Sequence, residues 1–276
     1  MCGRLGFCTA WAIDPYGVRK EWVEVVELDL HIKNLPDSFV DKRIVHISDL
    51  HCSRTVSSKY LGHCIERINQ LNADIVVLTG DYITYDIRGN FSEKVISLIS
   101  RISSRHGIYA CMGNHDYGVD GFFGPLLRHQ RFHNLINGMQ QHSVNVLRNE
   151  SAVLEIDGKA LWFVGLGDLW ADDFEPEKAF DRVHTTDGAV IALAHNPESL
   201  LHMDGFGYDA ALCGHTHGTT FQFSQWFGGS VMKRHRYRAG LYSLGGRKLY
   251  VNRGLGRHGR VLFNARPEIT VYSLRP

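Results

Sequence analysis

Two short motifs in this chain hold potential metal ligands two residues apart: Asp49-Leu50-His51 and His215-Thr216-His217. In extended backbone, residues i and i+2 project from one face, so each motif can offer two ligand atoms to one ion. Three further segments carry groups of the same kind: Gly80-Asp81, Gly113-Asn114-His115-Asp116 and the isolated His195. Oxygen from two aspartates and an asparagine, with nitrogen from several histidines, suits first-row divalent cations. Asp49, His51, Asp81, Asn114, His195, His215 and His217 exceed what one ion needs and suffice for two. A carboxylate, best Asp81, would then bridge ions about 3.5–4 Å apart and hold a shared hydroxide. Such a pair lowers the pKa of water and clamps the attacking and leaving oxygens of a phosphoryl group. That is phosphoester hydrolysis with no covalent enzyme intermediate.

Each segment follows a short apolar run: 44–47, 75–78, 108–112, 190–194 and 208–213. Runs this short, bounded by Gly or Asp, read as strands covered on both faces. In open α/β sheets ligands sit beyond the carboxyl ends of the strands, so neighbouring strands would bring these residues to one surface. Apolar residues at helical spacing fill 61–71 and 92–103, and Asn196-Pro197 reads as a helix start. Strands alternating with helices predict βαβ units. From Leu161 onward the helices thin out, which predicts an α/β first half joined to a β-rich second half with two packed sheets. No repeat and no Gly/Ser or Pro-rich linker interrupts residues 1–276, so one domain is expected.

Two stretches stand outside this pattern. Residues 118–145 read as an insertion in which Phe122, Phe123, Leu126 and Ile136 interleave with Arg and His. That composition fits a cap for acyl chains, or an amphipathic helix with one face on the core. Residues 219–238 end in the basic cluster Lys233, Arg234, His235, Arg236, Tyr237 and Arg238. Lys233, Arg234 and Arg236, with Arg88, are candidates to hold a substrate phosphate or touch a membrane surface; a solvated loop fits the cluster equally well.

The balance of 30 Lys+Arg against 29 Asp+Glu leaves a net charge of +1, which supplies no global field for gripping nucleic acid. Six cysteines in 276 residues, none in a CxxC pair, exclude a zinc ribbon and a disulfide framework and point to a reducing compartment. No run approaches the roughly 18–20 apolar residues of a membrane helix.

Asp49-x-His51, Gly80-Asp81, Gly113-Asn114-His115-Asp116, a later His195 and Gly214-His215-x-His217, in this order, resemble the calcineurin-like metallophosphoesterase superfamily. RIVHISDLH at 43–51, ADIVVLTGD at 73–81 and the tail NRGLGRHGRVLFNARPEITVYSL at 252–274 resemble its YkuE-type subgroup. The resemblance implies an α/β fold, a four-layer α/β/β/α sandwich, with two divalent metal ions. Mn2+ is expected, with Mg2+, Zn2+ or Fe as alternatives. It assigns Asp49, His51 and His217 to one ion, Asp81 to the bridge, and Asn114, His195 and His215 to the other. His115 would protonate the leaving oxygen or stabilise transition-state charge, oriented by Asp116.

Two departures matter. Several relatives carry an aspartate three residues after GD to position the catalytic histidine; here that place is Thr84, which leaves Asp116, Asp86 or a backbone carbonyl for the task. Many also read GHTHGGQ where this chain reads GHTHGTT at 214–220.

Subgroup members commonly carry an N-terminal membrane anchor, and this chain begins just beyond where one would sit. Some resemble the enzyme that hydrolyses UDP-2,3-diacylglucosamine to lipid X and UMP in lipid A biosynthesis. The expectation is therefore a pyrophosphate hydrolase acting on a nucleotide-lipid at the cytoplasmic face of the inner membrane. A phosphodiesterase or phosphatase for another phospholipid or small diester, and a non-catalytic scaffold, are the alternatives. The charge balance argues against a nuclease.

Overall fold

A computed structural model describes residues 23–84, 86, 89–119, 125–184, 188–219, 221–226, 229–256 and 266–276. The first half runs β1 (Glu24–His31), β2 (Arg43–Ile47), α1 (Ser58–Gln70), β3 (Ile75–Thr79), α2 (Asn90–Ile99), β4 (Ile108–Cys111), α3 (Asn114–Tyr117), α4 (Pro125–Gln141) and β5 (Val144–Val146). The second half holds β6 (Glu150–Ile156), β7 (Lys159–Gly165), α5 (Pro176–Phe180), β8 (Gly188–Leu193) and β9 (Ala210–Cys213). It continues with β10 (Phe221–Trp226), β11 (Gly229–Arg234), β12 (Gly240–Leu244), β13 (Arg247–Val251) and β14 (Glu268–Arg275).

These strands form two six-stranded sheets, ordered β1-β14-β2-β3-β4-β5 and β12-β13-β9-β8-β7-β6, while β10 and β11 pair as a separate hairpin. Strands β2 to β5 run parallel, as do β7, β8, β9 and β13. The last strand enters between β1 and β2, antiparallel to β2.

Side-chain alternation along the short apolar strands builds the layers. Ile44, Ile75 and Val77 face the second sheet and meet Phe163, Ile191 and Leu212 in a core between the sheets. Their neighbours Val45, Val76 and Leu78 point the other way, under Leu61 and Ile65 of α1, Val95 of α2 and Leu135 of α4. On the far face of the second sheet, Val190, Ala192 and Cys213 pack with Ala179 of α5 and Leu200. The four layers expected from the sequence are present. The outermost one is thin, made of α5 and a 3-10 helix at Pro197–His202 whose start Asn196 caps by accepting from Glu198 N at 2.9 Å.

Of the 118–145 segment, α4 buries Phe132, Leu135, Ile136 and Met139 in the layer over the first sheet. Phe122 and Phe123 lie outside the described residues, as does Arg88. No described helix is long and apolar enough to cross a membrane.

Candidate metal centre

The carboxyl ends of β2, β3, β4, β8 and β9 deliver Asp49 and His51, Asp81, Asn114 and His115, His195, and His215 and His217 in that order. Three overlapping groups result: Asp49, His51 and His217; His51, Asp81 and His115; Asp81, His195 and His215. Within each, the ligand atoms lie within 4.8 Å of one another. Asp81 Oδ2 is central, 3.6 Å from His51 Nε2 and 3.1 Å from His195 Nε2. Asp49 Oδ1 lies 3.8 Å from His51 Nε2 and 3.5 Å from His217 Nε2. On the other side, His215 Nδ1 is 3.1 Å from Asn114 Oδ1 and 3.2 Å from His195 Nε2.

The backbone at these strand ends is unusual. Asp49, His51, Asp81, His215 and His217 have φ of 49°, 48°, 55°, 73° and 50°. Non-glycine residues rarely adopt this left-handed region, and clusters of such outliers mark functional sites.

Hydrogen bonds fix which ring nitrogen faces inward. His195 Nδ1 donates to Thr79 O at 2.7 Å, and His51 Nδ1 faces Thr84 Oγ1 at 3.1 Å. The Nε2 of His51 is thereby left as a lone pair turned toward the cluster, while that of His195 faces Asp81 Oδ2. His51 Nε2 and His217 Nε2 then meet at 3.2 Å. The buried Asp49 Oδ1, which accepts no hydrogen bond, stands beside them. The lone pair of His51 Nε2 and the unpartnered, buried Asp49 Oδ1 converge as acceptors, so the residues fit a cation.

Burial holds His51 and His215 well below the usual imidazole range, hence neutral and ready to ligate. Burial also opposes the charges of Asp81 and His195, but their mutual attraction outweighs it. Asp81 therefore titrates below the usual carboxylate range and His195 above the usual imidazole range. Without an ion, that histidine's proton supplies the missing positive charge, and an arriving cation must displace it. Cation affinity is therefore expected to rise with pH, about tenfold per unit for each proton released. Mn2+ titrations between about pH 6 and 8 check this, and a flat profile contradicts it.

Asp116 does not orient His115. Its Oδ2 accepts from Asp81 N and Gly113 N at 2.8 and 2.9 Å, and its Oδ1 from Tyr82 N and Ile83 N at 2.9 and 3.3 Å. The carboxylate is a staple between the β3 and β4 loops. Asp86 is also engaged, accepting from Phe91 N and Ser92 N near the start of α2. His115 Nδ1 instead lies 3.3 Å from Thr84 O, and its ring stands 5.0 Å from that of His51.

Lys233 and Arg234 lie on β11, and Arg236 is exposed beyond it. Their buried neighbour His235 approaches the centre, its ring 6.0 Å from that of His215. Thr216 Oγ1 donates to Arg238 O, which ties this segment to the His215-x-His217 loop. Trp170 stands edge-on to His215 at 4.4 Å, placed by Asp168 Oδ1, which accepts from Trp170 N at 2.9 Å and Ala171 N at 3.0 Å. No spacing in the sequence announces Trp170 or His235.

A family model, calcineurin-like phosphoesterase, matches residues 42–219, which is more than half of the chain and takes in all five strand ends that carry the clustered Asp, Asn and His residues. The chain belongs to the calcineurin-like phosphoesterase family. It is 30% identical to the phosphodiesterase YaeI of Escherichia coli, over 92% of this chain and 88% of the relative. It is 30% identical to the UDP-2,3-diacylglucosamine pyrophosphatase LpxG of Chlamydia trachomatis, over 86% of this chain and 85% of the relative. The uncharacterized metallophosphoesterase YkuE of Bacillus subtilis is 29% identical, over 92% and 86%. As a calcineurin-like phosphoesterase, the chain is a metal-dependent phosphoester hydrolase. Family and His/Asp clusters together point to a centre for two divalent ions.

Proposed function

We propose that Asp49, His51 and His217 hold one ion, Asn114, His195 and His215 the other, and that Asp81 bridges them. The observation that carries this is Asp81 Oδ2, within 3.6 Å of His51 Nε2 and 3.1 Å of His195 Nε2, one histidine from each side. When bound, a pair of divalent cations, Mn2+ by preference, activates water as a nucleophile and neutralises charge on phosphoryl oxygens. Asp81 Oδ1 accepts the backbone N–H of His115 at 2.9 Å, so the bridging carboxylate and the catalytic histidine are set by one contact. His115, with Nδ1 directed at Thr84 O, presents Nε2 as the atom that gives a proton to the leaving oxygen. Trp170 and His235 flank His215 and would contact the group attached to the phosphorus on that side.

The preferred substrate is UDP-2,3-diacylglucosamine, cleaved to 2,3-diacylglucosamine 1-phosphate and UMP at the cytoplasmic face of the inner membrane. Support comes from the LpxG relatives of two Chlamydia species, 30% and 28% identical. Phe122 and Phe123 would contact the acyl chains, and Arg88, Lys233, Arg234 and Arg236 the phosphates. YaeI, at the same 30% identity, favours a second reading, a phosphodiesterase for another phospholipid or small diester.

Turnover with Mn2+ on UDP-2,3-diacylglucosamine, bis(p-nitrophenyl) phosphate and single-stranded DNA in parallel separates the two. UMP release, with Phe122→Ser/Phe123→Ser raising KM for the diacyl substrate alone, supports the first. Diester cleavage without UMP release rules it out in favour of the second.

A further inference from the structure

We infer that the loop 252–256 is a strap that fixes the backbone of Asp49 and His51, with Asn252 and Gly256 as its positioning residues. The strap would thereby set the place of the ion those side chains share with His217, so the inference rests on the two-ion reading above. Its starting point is conformational. Asp49 and His51, at φ of 49° and 48°, each hold a strained backbone state that persists only where the surroundings over-determine it. The strap is what surrounds them.

Leu255 N donates to Ser48 O at 2.9 Å and Gly256 N to Asp49 O at 2.7 Å. Both peptide groups flanking the Asp49 Cα are thus pinned through their carbonyls. From the opposite side Asp49 N donates to Gly80 O and His51 N to Asp81 O, each at 2.9 Å. The approach is too close for a side chain. A Cβ on Gly256 would fall 2.1 Å from Leu50 O and 3.1 Å from His51 Cβ. One on Gly254, itself at φ 81°, would fall 2.6 Å from Asp49 Cβ.

The strap is anchored from behind. Asn252 is fully buried, and its Oδ1 accepts from Gly254 N at 2.7 Å. Its Nδ2 donates to Thr270 Oγ1 at 2.8 Å and to His46 O at 3.3 Å. Thr270 Oγ1 and Tyr250 OH in turn donate to the buried carboxylate of Glu268 at 2.5 and 2.6 Å. Tyr60 OH, on α1, donates to Leu255 O at 3.0 Å. Strands β2 and β14 and helix α1 therefore hold the loop, and the loop holds Asp49 and His51. This gives a task to Asn252, Gly254 and Gly256, which carry none of the ligand roles.

The test is a Mn2+ titration of the full chain, with free ion read by electron paramagnetic resonance and folding checked by circular dichroism. Wild type is expected to bind two ions. Gly256→Ala should keep one and lose the other, and Asn252→Ala should weaken one of the two by about 10–100-fold, the usual effect of removing a support behind a ligand. Gly245→Ala is the control. Gly245 sits at φ 57° in the β12–β13 turn with no atom within 4 Å of an added Cβ, so the variant strains the backbone without crowding the centre, and it should bind both ions.

Both strap variants binding two ions at wild-type affinity would overturn the strap alone, as would an equal loss in Gly245→Ala. Fewer than two ions in wild type would overturn the two-ion reading and the strap with it. If Gly256→Ala fails to fold, Asn252→Ala against Gly245→Ala decides.

Discussion

Asp81→Ala is expected to lower metal-dependent turnover by about a thousandfold or more. Its Oδ2 lies between His51 and His195, and its Oδ1 holds the His115 backbone. Removing the carboxylate takes one ligand atom from each ion position and leaves two cations facing each other with less negative charge between them. The staple from Asp116 to Asp81 N is a backbone contact and survives the change, so the fold should remain. Initial rates on an activated diester across a Mn2+ series measure the effect. Activity restored to the wild-type level by raised Mn2+ would show that the carboxylate only improves affinity, and retained activity would contradict a dinuclear centre.

His115→Ala should behave differently, lowering kcat by about 10²–10⁴-fold while two ions remain bound. His115 reaches the centre edge-on beside His51, with its Nδ1 turned to Thr84 O. A group held in this way supplies a proton or a hydrogen bond to the leaving oxygen, so its removal costs transition-state stabilisation. The decisive comparison is between substrates. A good leaving group such as p-nitrophenolate needs little protonation and should lose less rate than a poor one. His115 also belongs to the group with His51 and Asp81 in which all ligand atoms lie within 4.8 Å. Loss of an ion in the variant would therefore recast it as a ligand.

The strand ends that carry the clustered Asp, Asn and His residues were legible because each follows a short apolar run bounded by Gly or Asp, the pattern of a buried strand. Chemistry at such ends is placed by topology. The helix layers over the first sheet were legible from the spacing in 61–71 and 92–103.

The role of Asp116 was not legible. Adjacency in sequence suggests that it orients His115, but both lie on α3, where consecutive side chains point about 100° apart and do not face each other. It turns instead to the backbone of the β3 loop. The partners of His51 and His115 come from Thr84, more than thirty residues away, through one hydroxyl and one carbonyl that no motif distinguishes. Trp170 and His235 likewise reach His215 from separate connections, after β7 and after β11, that no local pattern relates to the loop after β9. The insertion of β14 between β1 and β2 joins chain ends that local patterning cannot relate.

The left-handed turns at Asp49, His51, Asp81, His215 and His217 also set the terms on which this protein can be hardened against heat. Glycine would relax each of them, and at Asp49 or Asp81 would also remove a carboxylate buried among others. A laboratory selection that rewards melting temperature alone, without demanding turnover, is free to accept changes at those five codons. Descendants that take them would gain stability and lose the groups placed for chemistry.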